Sequence, residues 1–351
     1  MKDIRDYSLL AHNTFGIDAK CRRFLEYSSV EEAQQIVAAL TDADKPLLIL
    51  GGGSNLLLTG DYAGTVLHSS IMGIEVLGNG ELAAAEHDDA LLNPEFVFLR
   101  CGSGEVFDDV VAYAVEHGYH GAENLSIIPG EVGASAVQNI GAYGVEAKDI
   151  IYKVEAVEIA TGRVVVFDNQ DCHYCYRQSK FKHEWKDKYL VTHVVYRLSR
   201  SFVPNLDYGN IRASLAAKHI ENPTAQQLRD VIIEIRNAKL PDPKVQGNAG
   251  SFFMNPIVEK AKFEELAAQY PGMPHYTIDE EHEKIPAGWM IDQCGWKGKS
   301  LGRAGVHDKQ ALVLVNRGGA TGEEIVNLCE TIRKDVKQKF GIDIHPEVNV
   351  K

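Results

Sequence analysis

The stretch Pro46-Leu47-Leu48-Ile49-Leu50-Gly51-Gly52-Gly53-Ser54-Asn55-Leu56-Leu57-Leu58 decides the fold. Its first apolar run reads as a buried strand that breaks on a glycine turn and resumes as a second apolar run. A dinucleotide-binding unit would instead pass from strand through GxGxxG into a helix, and that motif is absent. Upstream, residues 23–27 read as a strand and 30–40 as a helix, so the first segment is β-α-β. The turn has two readings. Consecutive glycines admit φ > 0 and let backbone N–H groups converge on an oxyanion such as a pyrophosphate. A glycine run is equally a plain tight turn.

Beyond the turn, strands dominate from about 65 to 200. Residues 96–101 form a compact apolar run, and 154–159 and 164–167 flank the hairpin signal Thr161-Gly162. The spacing predicts one helix among them, over 106–117, with Val106, Val110, Val111, Ala114 and Val115 on one face. A third segment opens near Pro223. Thr224 and Gln227 form a capping box for a helix that turns Leu228, Val231, Ile232 and Ile235 inward, and Lys239-Leu240-Pro241-Asp242-Pro243 ends it. Further helices are expected over 259–269 and, behind a second capping box of Thr321 and Glu324, up to about 340. A closing strand is expected over 346–350. The pattern is α+β with three lobes, bounded at 1–68, 69–215 and 216–351.

The chain has 351 residues, 45% hydrophobic and 24% charged, enough apolar material for well-formed cores. A net charge of −13 excludes a broad basic face for nucleic acid or an anionic membrane. An anionic ligand would need a local cluster of Lys and Arg. The start, Met1-Lys2-Asp3-Ile4-Arg5-Asp6, is polar rather than a leader, and no apolar run approaches the roughly 20 residues of a membrane span. The six cysteines are expected as free thiols in a reducing cytoplasm. Cys172 and Cys175 have CxxC spacing without a second metal-ligating pair, which favours two cysteines in or beside a strand over zinc or redox chemistry.

Chemistry-bearing residues cluster in four places. The loop from Ile128 to Gly144 is rich in glycine, alanine and serine, a backbone that a ring or diphosphate can lie against, or a buried turn. Gln138 and Asn139 could offer amides to ring edges. Arg177, in Tyr176-Arg177-Gln178-Ser179, stands among uncharged residues, where arginine serves a buried carboxylate or an anionic ligand. The lysines that follow alternate with acids and read as a solvated face. Ser251, in Gly247-Asn248-Ala249-Gly250-Ser251-Phe252-Phe253-Met254-Asn255-Pro256, lacks the GxSxG elbow of a nucleophile; it could be a proton-giving hydroxyl or a turn serine. Lys239 and Asn255 bracket that loop with groups for a phosphate or uracil. Glu347 alternates with Val348 and Val350, so it faces either solvent or a cleft.

Taken in order, these segments resemble the UDP-N-acetylenolpyruvoylglucosamine reductases. Asn13-Thr14-Phe15-Gly16, the glycine turn, the 128–144 loop, the Arg177 and Ser251 segments, Ala287-Gly288-Trp289-Met290-Ile291-Asp292-Gln293-Cys294 and Pro346-Glu347-Val348 carry the likeness through nearly the whole chain. Leu206-Asp207-Tyr208-Gly209 is similar to the tyrosine loop of one of the family's two subtypes.

The resemblance implies two FAD-enclosing domains of the vanillyl-alcohol-oxidase type, 1–68 and 69–215, and a UDP-sugar domain, 216–351. Non-covalent FAD would be held by Gly51, Gly52, Gly53, Ser54, Asn55, Pro129, Gly130, Gly133, Ala134, Gln138, Asn139, Gly141, Ala142, Tyr143 and Tyr176. It implies a hydride relay from NADPH through flavin to the enolpyruvyl carbon of UDP-N-acetylglucosamine enolpyruvate, giving UDP-N-acetylmuramate for peptidoglycan. Arg177 and Glu347 match the pair that polarises the carboxylate and stabilises the enolate, for which Glu347 would carry or share a proton. Ser251 matches the group that protonates the α-carbon, and a hydroxyl can do so only through position and neighbouring charge. Tyr208, Lys239, Asn255, Gln293 and Lys284 correspond to groups on the diphosphate and uracil. A cytoplasmic monomer without metal is expected.

Two departures from the family pattern are visible. Asn349 stands where a basic residue is frequent, near the end at Lys351, and Gly52 stands where an acid is common. Rival readings are an oxidase of the same flavoprotein superfamily, against which the diphosphate-clamp residues argue, and a non-catalytic UDP-sugar binder.

Overall fold

The computed structural model describes residues 1–86 and 89–351, which divide into two compact units. The first contains residues 1–7, 21–52 and 63–238, and the second 8–20, 53–62 and 239–351. The glycine turn is one of the places where the chain passes between them, at Gly52 and Gly53.

In the first unit, the β-α-β reading is met by strand Lys20–Tyr27, helix Val30–Ala39 and strand Leu47–Leu50. Ser29 caps the helix by accepting the Glu32 N–H at 3.2 Å, while the Glu32 carboxylate accepts the Ser28 N–H at 2.7 Å. Leu47–Leu50 lies parallel to strand Tyr62–Ser69, inside a sheet completed by Lys20–Tyr27 and Lys2–Ser8.

A second sheet is antiparallel throughout, in the order Val164–Asp168, Ile151–Glu158, Tyr189–Ser199, Phe96–Gly102 and Ile74–Leu77. Phe96–Gly102 buries apolar side chains on both faces, with Arg100 the one charged residue in it. Val97, Leu99 and Cys101 pack with helix Phe107–Glu116, whereas Phe98 joins a separate cluster with Ala83, Leu91 and Val195. Each such apolar side chain contributes about 1.5–3 kcal/mol by leaving water. The helix starts one residue later than the spacing suggested. Val106 is its exposed N-cap, and Phe107 takes the buried place beside Val110, Val111, Ala114 and Val115.

The capping box of Thr224 and Gln227 is formed in both directions, at 3.0 and 3.2 Å, and opens helix Ala225–Lys239. Leu228, Val231, Ile232 and Ile235 are buried with Ile211 and Leu215. The guanidinium of Arg229 grips the Asp108 carboxylate through two bonds of 2.7 and 2.9 Å, tying this helix to Phe107–Glu116.

The second unit holds helices Lys260–Gln269, Ala287–Gln293 and Gly322–Phe340 with short sheets. Thr321 and Glu324 complete their capping box. The closing strand is split rather than continuous: Asn349–Val350 pairs in parallel with Leu56–Leu57, while Pro346 forms an isolated antiparallel bridge with Phe253. Among the described residues no helix is long and apolar enough to cross a membrane.

Candidate functional site

The segment expected as an open loop between Ile128 and Gly144 contains a helix, Val132–Gln138. Small side chains were read as loop signals, but here they let a helix seat closely. The Val132 and Gly133 N–H groups donate to Glu105 and Ser103 carbonyls at 2.9 Å, and Ser135 Oγ pairs with the Tyr196 hydroxyl at 2.8 Å. Asn139 closes the helix in the left-handed region at φ 46°, a conformation asparagine tolerates better than most residues. Gly51 and Gly52 run beside this helix start. A Cβ on Gly51 would lie 3.2 Å from Ala134 Cβ, and one on Gly52 would lie 3.5 Å from Gly130 Cα.

Glu131 Oε2 and Arg236 Nε are among the buried polar atoms of this unit that lack a hydrogen-bond partner. Glu131 Oε1 is 3.3 Å from His68 Nε2, and His68 Nδ1 is 3.3 Å from Glu26. Arg236, on helix Ala225–Lys239, reaches the Ile127 carbonyl only at 3.5 Å, and burial holds its pKa below the usual arginine value. A buried donor and a buried acceptor beside a small-residue surface are groups that a ligand bearing acceptors and hydroxyls would satisfy. The residues fit FAD on that ground.

Arg177 has φ 57° and donates through Nη2 to the Gly141 carbonyl and through Nη1 to the Asn139 carbonyl at 3.4 Å. Its guanidinium carbon lies 5.3 Å from the Tyr176 ring centroid. Tyr143, next to Gly141 and Ala142, has φ 49° and packs edge-on against Tyr208 at 6.4 Å. Burial pushes the Tyr143 phenol up, opposed by the charge of Arg236. Pro129 and Gly130 precede the helix and Gln138 ends it, so this group of expected residues does gather in the first unit.

The rest belongs to the second unit. Gly53 has φ 64°, and a Cβ there would fall 1.9 Å from the His12 carbonyl oxygen, so no other residue fits. Thr14 joins two distant segments: its N–H donates to the Gly53 carbonyl at 3.2 Å and its hydroxyl to the Asn248 carbonyl at 2.6 Å. That gives Asn13-Thr14-Phe15-Gly16 a physical role which its residues alone did not disclose.

Ser251 is exposed between a left-handed Gly250 and the fully buried Phe252 and Phe253, which anchor it from one side. Asn248 is buried and accepts the Gly250 N–H at 2.9 Å. Glu347 comes to the same place. Its N–H donates to the Phe252 carbonyl at 2.8 Å, and the Met254 N–H donates to the His345 carbonyl at 2.9 Å. Asn55, two residues beyond Gly53 past Ser54, donates to the Glu347 carbonyl at 3.4 Å and accepts from both the N–H and the side chain of Asn349 at 3.1 and 3.2 Å. Asn349 thereby serves the glycine turn.

The remaining expected ligand groups are spread over this unit. Asn255 Oδ1 accepts the Ala287 N–H at 2.9 Å and so starts helix Ala287–Gln293. Gln293 ends that helix, exposed, and its carbonyl accepts from Lys339. Lys284 sits 5.5 Å from the Tyr276 ring centroid, and Lys239 is exposed at a helix end. Sequence reasoning missed Arg236 and Glu131. The signal for Arg236 was its place seven residues after Arg229, on the buried stripe of one helix.

Residues 242–351 match the family described as UDP-N-acetylenolpyruvoylglucosamine reductase, C-terminal domain, and residues 22–168 the FAD binding domain. A UDP-N-acetylenolpyruvoylglucosamine reductase of Bacteroides fragilis is 56% identical over 343 residues, covering 98% of each chain. One of Flavobacterium johnsoniae is 44% identical over 346 residues, again 98% of each. In fold the chain is similar to the crystal structure of UDP-N-acetylenolpyruvylglucosamine reductase from Thermus caldophilus, with TM-score 0.67, 19% identity and coverage of 99% of this chain and 98% of that one. The chain belongs to the UDP-N-acetylenolpyruvoylglucosamine reductase family, as a flavoenzyme with an FAD-binding domain over 22–168.

Proposed function

We propose that the chain uses NADPH to reduce the enolpyruvyl ether of UDP-N-acetylglucosamine enolpyruvate to UDP-N-acetylmuramate, with Arg177, Glu347 and Ser251 as its reacting groups. FAD, when bound, would supply the two-electron hydride chemistry that links NADPH to the enolpyruvyl group. Gly51 to Asn55, residues of the segment from Pro129 to Ala142, Tyr143 and Tyr176 would hold that cofactor, with the buried Arg236 Nε available as a donor.

The chain's own groups manage charge and the proton. Arg177 binds the substrate carboxylate and, with Glu347, stabilises the negative charge that spreads onto it. Ser251 Oγ gives its proton to the α-carbon, so one hydride and one proton saturate the double bond. The hydroxyl acts by position, which its buried aromatic neighbours fix. Tyr208, Lys239, Asn255, Gln293 and Lys284 take the diphosphate and uracil, a local cationic and amide set that works against the net charge of −13. The carrying observation is the pairing of Phe252 with Glu347, which brings the serine loop and the backbone that bears Glu347 side by side across 95 residues of sequence.

In domain terms, 1–68 and 69–215 enclose FAD and 216–351 receives the nucleotide sugar. The protein works as a cytoplasmic monomer, where NADPH and nucleotide-activated sugars are available. Anaerobic half-reactions test the reading. Enzyme reduced by NADPH is expected to reoxidise on adding the enolpyruvyl sugar. Reoxidation by O₂ alone would replace the reductase with an oxidase.

A further inference from the structure

Arg177 and Glu146 meet over a glycine. Strands Gly141–Ala142 and Val145–Glu146 form a tight antiparallel pair in which Gly141 stands opposite Glu146. The Arg177 side chain crosses that pair at Gly141. A Cβ on Gly141 would lie 2.7 Å from Arg177 Nη1 and 3.0 Å from Glu146 Cγ, so the glycine makes the approach possible. Arg177 Nη1 lies 3.9 Å from Glu146 Oε1, and both side chains are 20% exposed.

The carboxylate is itself held. Asn139 Nδ2 donates to Glu146 Oε2 at 3.3 Å, and Lys148 Nζ is 3.2 Å from the same oxygen. Asn139 is fully buried, and its Nδ2 also donates to the Cys175 carbonyl at 2.9 Å while its Oδ1 accepts the Lys148 N–H at 2.9 Å. Cys175 lies two residues before Arg177. One buried amide therefore fixes both the Glu146 carboxylate and the chain that carries the guanidinium.

At 3.9 Å the pair is longer than a bidentate clamp, so its effect is orientation by charge more than binding strength. An arginine side chain carries about 2 kcal/mol of rotamer entropy, and fixing it beforehand spares that cost when an anion arrives. A neighbouring carboxylate also partly offsets the arginine charge, which weakens rather than strengthens its hold on a resting anion.

The geometry points to Glu146 as a positioning residue for Arg177: fixed by Asn139, it holds the guanidinium over Gly141 in the orientation that meets the charge developing on the substrate carboxylate. This rests on the role given to Arg177 above. Glu146 touches no substrate in this scheme.

The test uses FAD-loaded enzyme and the Glu146→Gln variant, which keeps the shape and the Asn139 contact but removes the charge. Flavin reduction by NADPH is expected within about twofold of the parent, whereas reoxidation at saturating enolpyruvyl sugar falls about tenfold, the scale of a sub-ångström misplacement. The half-saturating sugar concentration is expected unchanged or lower, because the arginine charge is less offset. Glu146→Asp, which restores the charge on a shorter stem, should recover part of the rate. A reoxidation rate equal to the parent's would overturn the inference, as would a rise in half-saturation that accounts for the whole loss. If Glu146→Gln releases its FAD, Glu146→Asp decides: parent-like half-saturation with a reduced rate supports the inference, and a rise in half-saturation that accounts for the whole loss overturns it. Arg177→Gln separates the two levels. Unimpaired reoxidation there removes the role of Arg177 itself, whereas impaired Arg177→Gln beside an unaffected Glu146→Gln removes only the positioning role.

Discussion

The Glu347 N–H donates to the Phe252 carbonyl at 2.8 Å, and this one bond joins the backbone of Glu347 to a serine loop that precedes it by almost a hundred residues. Phe252 and Phe253 are buried while Ser251 is exposed, so the hydroxyl is presented from a rigid base. Ser251→Ala removes the proton donor and leaves that base intact. Flavin reduction by NADPH is expected to proceed at the parent rate, and the second half-reaction to slow by about 10²–10⁴-fold, the span of general acid catalysis. Stopped-flow absorbance under anaerobic conditions reads both. Equal losses in the two halves would falsify the assignment of Ser251 as donor.

Much of this architecture was legible in local chemistry. Both capping boxes, the hairpin around Thr161-Gly162 and the inward stripe of Leu228, Val231, Ile232 and Ile235 depend on residues three to ten apart, and each is formed. What depended on distant partners was not. The helix Val132–Gln138 looks like a loop because glycine, alanine and serine are weak signals alone; its reason is close seating against the Ser103 and Glu105 carbonyls. The strand expected over 346–350 is divided because its two ends pair with different distant segments, Pro346 with Phe253 and Asn349–Val350 with Leu56–Leu57. Thr14 gave no hint of joining Gly53 to Asn248, since neither partner lies near it in sequence.

Arg236 presents a separate test. Its Nε is buried and lacks a partner, and the nearby Asp108 carboxylate is gripped by Arg229. Such a group destabilises a chain without ligand and is satisfied only by one. Arg236→Met is expected to leave the thermal midpoint of the FAD-stripped protein unchanged or raised, while reducing the FAD retained per chain on purification. Calorimetry on stripped protein and flavin absorbance on the purified variant measure the two. A lower midpoint with undiminished flavin content would mean that the arginine serves the fold instead.

The CxxC pair separates by burial. Cys172 is fully buried at the end of a short helical turn, and burial pushes its thiol up to about 11, whereas Cys175 is exposed. Among the described residues no group of His, Cys, Asp and Glu is arranged to hold a metal. Since the thiolate is the reactive form, iodoacetamide at about pH 8 should label Cys175 in the native protein and Cys172 only after denaturation. Peptide mass mapping gives the order. Labelling of both together would contradict the burial of Cys172, and protection of both that a chelator lifts would revive the metal reading.

A pH dependence follows from the sheet face at Glu155. Burial alone would raise this carboxyl, but hydrogen bonds and charge from Arg100 and His193 outweigh it and set the value at about 2. Arg100 donates from Nε at 2.8 Å and from Nη2 at 2.7 Å, while His193 Nδ1 lies 3.4 Å away. The folded value lies below the unfolded one of about 4.3, so the pair stabilises fully above that pH and its contribution disappears as pH falls through about 2. Glu155→Gln has no such proton to take up. Urea unfolding from pH 5 down to pH 2 should therefore show the parent losing stability more steeply than the variant, with the difference between them narrowing as acid is added. Curves that remain parallel across this window would show that Glu155 has the same proton affinity folded and unfolded.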